Sequence, residues 1–263
     1  RDMAQFPEEY SMALEEPGLP EEEVYVFPAS YAQQRLWFLD QFEPGSPFYN
    51  IPAAVRLSGR LDVAALERTF AEIVRRHETL RTTFDTVEGQ PVQVIALEAP
   101  FSMPLTDLSH LPAEEREAEA LRLAAEEARR PFDLTRGPLL RVQLLRLAEQ
   151  EHIVLLTMHH IISDGWSIGV LVRELGAIYP MFAVGRPSPL PELPIQYADY
   201  AAWQQEWLTG DILKEQLDYW RQQLGGALPV LELPTDRPRP PVSSSRGDTL
   251  SVMFPRELAE GLK

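Results

Sequence analysis

The residue types that could do chemistry stand together in "TMHHIISDGWS", Thr157–Ser167. His159 and His160 are adjacent in a chain with only five histidines, and Asp164 and Gly165 follow closely. A neutral imidazole at such a corner can serve as a general base near pH 7. Asp164, just before a helical pattern, can cap that helix or pair with an arginine. Gly165 permits a tight strand-to-helix turn. Neighbouring side chains on a strand point to opposite faces, so the two histidines do not converge on one metal. No third ligand stands at a zinc-like spacing. If the strand ends here, one histidine enters the core and the other faces a cleft. A core histidine bonded to backbone is the ordinary alternative to a catalytic one.

The flanking elements must position these groups. "EHIVLLTMHH" is almost continuously apolar from Ile153 to Met158, as expected of a strand covered on both faces. "LLRVQLLRLA" before it alternates like a strand. After Gly165 the period becomes helical, with Ile168, Leu171, Val172, Leu175, Ile178, Tyr179 and Phe182 on one side. "LDVAALERTFAEIVRRHE" predicts an amphipathic helix capped by Asp62, and residues 112–130 predict an exposed helix stopped by Pro131. "PVQVIAL" reads as a strand after the turn "EGQP". "IQYADYAAWQQEWL" and "ILKEQLDYWRQQL" read as aromatic helices. "LPTDRPRPPVSSSRGD" is a connector, "TLSVMFP" a further strand and "RELAEGLK" a helix. Strands interleaved with helices predict an α/β sandwich.

Composition narrows the function classes. The chain has no cysteine, which excludes a thiolate metal site, a disulfide framework and a cysteine nucleophile. The formal net charge of −16 does not attract nucleic acid or anionic lipid. No apolar run approaches bilayer-spanning length and no signal peptide opens the chain, so a cytoplasmic protein without membrane contact is expected. Residues 1–23 carry one arginine and eight acidic residues and read as an acidic linker or tail, with order beginning near Val24.

Four stretches, in order, resemble the condensation domains of nonribosomal peptide synthetases. "SYAQQRLWFLDQ" (Ser30–Gln41) is similar to that family's motif SxAQxRLWxL, and "RHETLRTTF" (Arg76–Phe84) to RHExLRTxF. "HHIISDG" is similar to HHxxxDG, and "QYADYAAWQ" (Gln196–Gln204) to YxDYAxW. More distantly, HHxxxDG resembles the motif of chloramphenicol acetyltransferase and other HxxxD acyltransferases. The later family motifs, VGxFVNT and HQDxPFE, are absent.

The resemblance implies a two-layer α/β sandwich, a chloramphenicol acetyltransferase-like lobe with a mixed sheet covered by helices. It implies an N-terminal lobe at residues 24–226, and a crossover with the start of a C-terminal lobe at 227–263. By resemblance His160 is the catalytic histidine, either taking a proton from an attacking amine or positioning that amine. Gly165 lets backbone approach the reacting groups, and Trp166 and Ser167 line the substrate. His159, Asp164, Arg76 and Arg81 support the motif, with Asp164 paired to Arg76 or, failing that, Arg81. The lobe itself binds no cofactor; phosphopantetheine arrives on partner carriers. The implied partners are upstream and downstream peptidyl carrier proteins, the C-terminal lobe and neighbouring synthetase domains. The motifs look most like the subtype joining two L-configured residues. An isolated lobe is expected to be inactive. Two other readings stand beside this one: a small HxxxD acyltransferase using a soluble thioester, and a non-catalytic carrier-docking module.

Overall fold

The computed structural model describes residues 24–238, 250 and 252–262. The expected acidic tail lies outside them, as does most of the expected connector. The chain divides into two compact units that meet in sequence between Tyr219 and Trp220.

The first unit holds two sheets. One is antiparallel, with β1 (Val24–Pro28), β4 (Gln90–Ala96) and β3 (Thr82–Val87) in the order β1-β4-β3. Glu88 and Gly89 join β3 to β4, with φ of 51° and 80°. Two successive left-handed residues suit the twist of a two-residue hairpin, which is why a glycine follows the glutamate. The other sheet runs β2 (Asn50–Ser58), β7 (Glu151–His159), β6 (Leu140–Ala148), β5 (Leu105–Asp107). It is mixed, since β5 pairs parallel to β6 while the other pairs are antiparallel. β2 is an edge strand, and so tolerates Pro52, whose nitrogen has no proton to donate.

β7 is central and covered on both faces, as its apolar run predicts. Val154, Leu156 and Met158 belong to the main core with Leu140, Val142 and Leu144 of β6. Leu155 joins a second cluster with Leu145, Leu147 and Ala120 of α3 (Ala113–Arg129). The main core also takes Leu66, Phe70, Ile73 and Val74 from α2 (Val63–Arg76), and Leu171 and Ile178 from α4 (Gly165–Ala183). The Asp62 carboxylate caps α2 by accepting the Ala65 N–H at 2.9 Å. α1 (Tyr31–Phe42) is held by a capping box between Ser30 and Gln33. α5 (Tyr197–Trp207) completes the unit, and α6 (Gly210–Leu224) spans the division between the two units.

Within the second unit, α7 (Arg256–Gly261) matches the helix expected at "RELAEGLK". The strand expected at "TLSVMFP" is not borne out at Val252–Pro255, which are irregular. A strand is stabilised by its ladder, and among the described residues these four have no ladder partner. β1, β2, β3 and β5 are strands that the pattern of the sequence did not announce.

Candidate active site

β7 ends at His159, and the chain turns over His160–Ser163 into α4. The strand end therefore separates the two rings. His159 is 3% exposed, packed near Tyr49 and edge-on to Phe132. Its Nδ1 accepts the Ile161 N–H at 3.1 Å, which fixes the neutral ring with its proton on Nε2. Burial, and secondarily the adjacent His160, push the His159 pKa down to about 4. His159 is thus neutral at pH 7. His160 is exposed, with its N–H donating to the Tyr49 carbonyl at 2.8 Å.

The turn is tied from several sides. The Gln33 amide of α1 reaches the Ile161 carbonyl at 3.4 Å, and the Thr79 hydroxyl reaches the Ile162 carbonyl at the same distance. The Ile162 N–H returns to the His159 carbonyl at 3.1 Å. His160 therefore stands on a short turn held on both sides, in contact with solvent.

Asp164 does not pair with Arg76 or Arg81, contrary to expectation. Among the described residues it has no arginine partner. Its Oδ1 accepts the Ser167 N–H at 2.9 Å and the Ser167 hydroxyl at 2.7 Å, capping α4. Those bonds, with a further one from the Trp166 N–H and the nearby His160, hold its carboxyl below the ordinary carboxylate range. Of the two roles the residue allowed, capping is realised, because three donors at the helix start satisfy the charge locally. The Ser167 hydroxyl is spent on this cap. Trp166 is 80% exposed beside it.

Gly165 is not needed for the turn. Its φ lies outside the left-handed region, and a Cβ added there meets nothing within 4 Å. It is the first residue of α4, so its N–H has no intrahelical acceptor.

Arg76 is instead buried with Glu174 of α4, which sequence reading missed. Its Nε lies 3.2 Å from Glu174 Oε2, and its Nη1 donates to the Pro191 carbonyl at 2.8 Å. The His77 ring shares the same Glu174 oxygen at 3.0 Å. Gln196 donates to the Arg76 carbonyl at 2.9 Å and accepts the Glu78 N–H at 3.2 Å. Arg81 hydrogen-bonds Glu78 at 3.3 Å and also the Ala96 carbonyl, tying the 3-10 turn Glu78–Arg81 to β4. Glu174 sits on the buried side of α4, and an acidic residue on a helix's apolar stripe was the signal that a basic partner must face it.

The quoted motifs therefore interlock in space. Ser30 Oγ and the Tyr197 hydroxyl lie 3.0 Å apart, the Tyr31 N–H donates to Gln204 at 3.0 Å, and Gln205 donates to the Ala29 carbonyl at 2.7 Å. Two of the motifs, Ser30–Gln41 and Arg76–Phe84, bond to the turn and helix that follow the histidine pair, and Gln196–Gln204 ties to both of them.

A family model described as "Condensation domain" matches residues 23–263. The chain belongs to the condensation-domain family. Condensation domains are amide-bond-forming acyltransferases of nonribosomal peptide synthetases. The chain is 52% identical over 238 residues to a linear gramicidin synthase of Brevibacillus parabrevis, covering 90% of this chain and 3% of that one. To the phosphinothricin tripeptide synthetase PhsC of Streptomyces viridochromogenes it is 47% identical, over 90% of this chain and 22% of the other. Among solved structures, the complex of the X-domain and OxyB from teicoplanin biosynthesis matches with a TM-score of 0.70 at 35% identity, covering 88% of this chain and 49% of that one. The first condensation domain of the calcium-dependent antibiotic synthetase, in complex with a substrate analogue, matches at 0.67 and 25% identity, covering 75% and 47%. The chain thus spans about half the length of these solved chains and a small share of the curated relatives. These likenesses bear out the chloramphenicol acetyltransferase-like α/β fold. Among the described residues no helix is long and apolar enough to cross a membrane.

Proposed function

We propose that this chain is the HHxxxDG-bearing N-terminal half of a condensation domain, with residues 24–226 as the lobe and 227–263 as the crossover into the second half. The domain transfers an acyl or peptidyl group from a phosphopantetheine thioester on an upstream carrier to the amine of an aminoacyl group on a downstream carrier. The amine nitrogen attacks the thioester carbonyl, a C–N bond forms, the C–S bond breaks and the displaced sulfur leaves as the thiol. His160 meets the attacking amine, taking its proton or holding it in line. The N–H of Gly165 or of Trp166, at the start of α4, faces the developing oxyanion. Trp166 flanks the substrate, and the domain works in the cytoplasm among its neighbouring synthetase domains.

One observation carries this reading. The solvent-facing imidazole of His160 stands on a turn tied to its surroundings, while its neighbour His159 is buried and neutral. The test combines the chain with the second half of the domain and supplies two loaded carriers. His160→Ala is expected to lower dipeptide formation by about 100-fold or more without loss of folding, because the ring is exposed. Undiminished product from His160→Ala would overturn the assignment. If the chain alone condenses the carriers as fast as the two halves together, the small-acyltransferase reading takes its place. Carrier binding without any product from the reconstituted pair would favour a docking module.

A further inference from the structure

Gln93 stands at the middle of the three-stranded sheet, opposite Phe27 on β1 and Phe84 on β3. Directly opposed residues of antiparallel strands share a face, so this is an inward position where an apolar side chain is ordinary. Yet Gln93 and Gln33 are each only 1% exposed. Burying a primary amide is costly unless it is satisfied, and replacing it by an apolar residue of similar volume avoids that cost. The two amides are satisfied in one directed chain. Gln33 Oε1 accepts the Ser30 N–H at 2.9 Å, which fixes the sense of that amide. Gln33 Nε2 is therefore aimed at Gln93 Oε1, 3.1 Å away, and at the Ile161 carbonyl, 3.4 Å away. Gln93 Nε2 closes the chain on the Pro28 carbonyl at 3.0 Å. The far end of this relay is the carbonyl of Ile161, the residue immediately after His160. Thr79 holds the next carbonyl, that of Ile162, from the opposite element.

We propose that Gln93, acting through Gln33 and assisted by Thr79, is a positioning residue that sets the orientation of the His160 ring. It touches neither substrate nor His160. It determines where the Gln33 amide points, that amide pins the Ile161 carbonyl, and the pinned peptide limits the backbone from which the imidazole projects. This rests on the reading of His160 as the reacting group. A shift of about 1 Å at a reacting group can cost on the order of 100-fold in rate, so a tether one peptide away bears directly on turnover.

The experiment uses Gln93→Met, which keeps length and removes the amide. In the 263-residue chain, the ring nitrogen chemical shifts of His160 report its tautomer and surroundings without any need for activity. With the second half of the domain and loaded carriers, turnover is resolved into kcat and KM. Gln93→Met is expected to move the His160 ring shifts and to lower kcat about 10- to 100-fold with KM nearly unchanged, while thermal unfolding remains cooperative. A folded Gln93→Met chain with wild-type ring shifts, or with shifted rings and wild-type kcat, overturns the proposal. Should Gln93→Met fail to fold, Thr79→Val decides by the same two readouts, since it exchanges for a methyl only the hydroxyl that holds the Ile162 carbonyl. His160→Ala serves as the separate control. If that variant keeps full turnover, the assignment of His160 fails, while the ring-shift comparison still judges the relay.

Discussion

Arg76 is bonded to Glu174, its Nε 3.2 Å from Glu174 Oε2, and both side chains are almost wholly withdrawn from solvent. This pair links the last turn of α2 to the middle of α4, and His77 closes on the same carboxylate. It takes the place of the expected bond between Arg76 and Asp164. The helix carrying the histidine loop is therefore anchored at its middle by a buried charge pair and at its start by a cap.

The two anchors should differ in strength. Removing Glu174 leaves a buried guanidinium without its counter-charge, so Glu174→Ala is expected to cost about 3–5 kcal/mol. Asp164→Ala removes a solvent-exposed helix cap and is expected to cost about 1 kcal/mol. Urea unfolding of the two variants measures both. A larger loss for Asp164→Ala than for Glu174→Ala would mean that the cap, and not the ion pair, holds α4.

Burial depresses His159 from its ordinary value of 6.5 to about 4. The unfolded chain thus binds one more proton than the folded chain between those values. Stability from this group is fully present above pH 6.5 and is lost as pH falls toward 4, by roughly 3 kcal/mol in all. His159→Gln keeps an acceptor for the Ile161 N–H but cannot titrate. Its stability should fall less steeply than the wild type between pH 6.5 and 4. Parallel curves over that window in denaturant titrations would show that His159 is not buried as a neutral ring.

Glu174 contributes at lower pH with the same sense. Burial pushes its carboxyl up, but hydrogen bonds from Arg76 and then His77 outweigh this and leave it below the ordinary 4.5. Its stabilising share is present above that ordinary value and disappears as pH falls through the depressed one. Glu174→Gln should therefore flatten the acid limb of the stability curve below about pH 4.5, a region where the His159→Gln chain still responds. An unchanged acid limb would argue that Glu174 is not ionised beside Arg76.

Gly165→Ala separates folding from chemistry. The added methyl meets nothing within 4 Å and the backbone is not left-handed. Ala also suits a helix better than Gly, by up to about 1 kcal/mol in a helix interior. The melting temperature should hold or rise. Dipeptide formation by the complete domain should nevertheless fall at least about 10-fold, because the methyl projects where backbone and reacting groups approach. A variant with wild-type rate would show that the space over Gly165 takes no part in the reaction.

Much of this was legible in the residues themselves. The almost continuous apolar run to Met158 required a strand covered on both faces, and β7 is that strand. The shift to helical period after Gly165 required α4, and the four motifs in order required the condensation-domain fold. These signals are local: they depend on side-chain period, capping chemistry and spacing within a single element. Partner choice is not local. Arg76 had carboxylates at many positions to choose among, and only the crossing of α2 with α4 brought Glu174 rather than Asp164 to it. β1, β2, β3 and β5 also escaped, because a strand is stabilised by its ladder partners more than by its own sequence. The amide relay from Gln93 through Gln33 to Ile161 joins β4, α1 and the histidine turn, with Gln33 and Ile161 128 positions apart in sequence. The chain thus determined which groups could react, and tertiary packing decided which of them is buried, which is exposed and what holds each in place. Burial and ion pairing depend on distances that only the folded arrangement sets.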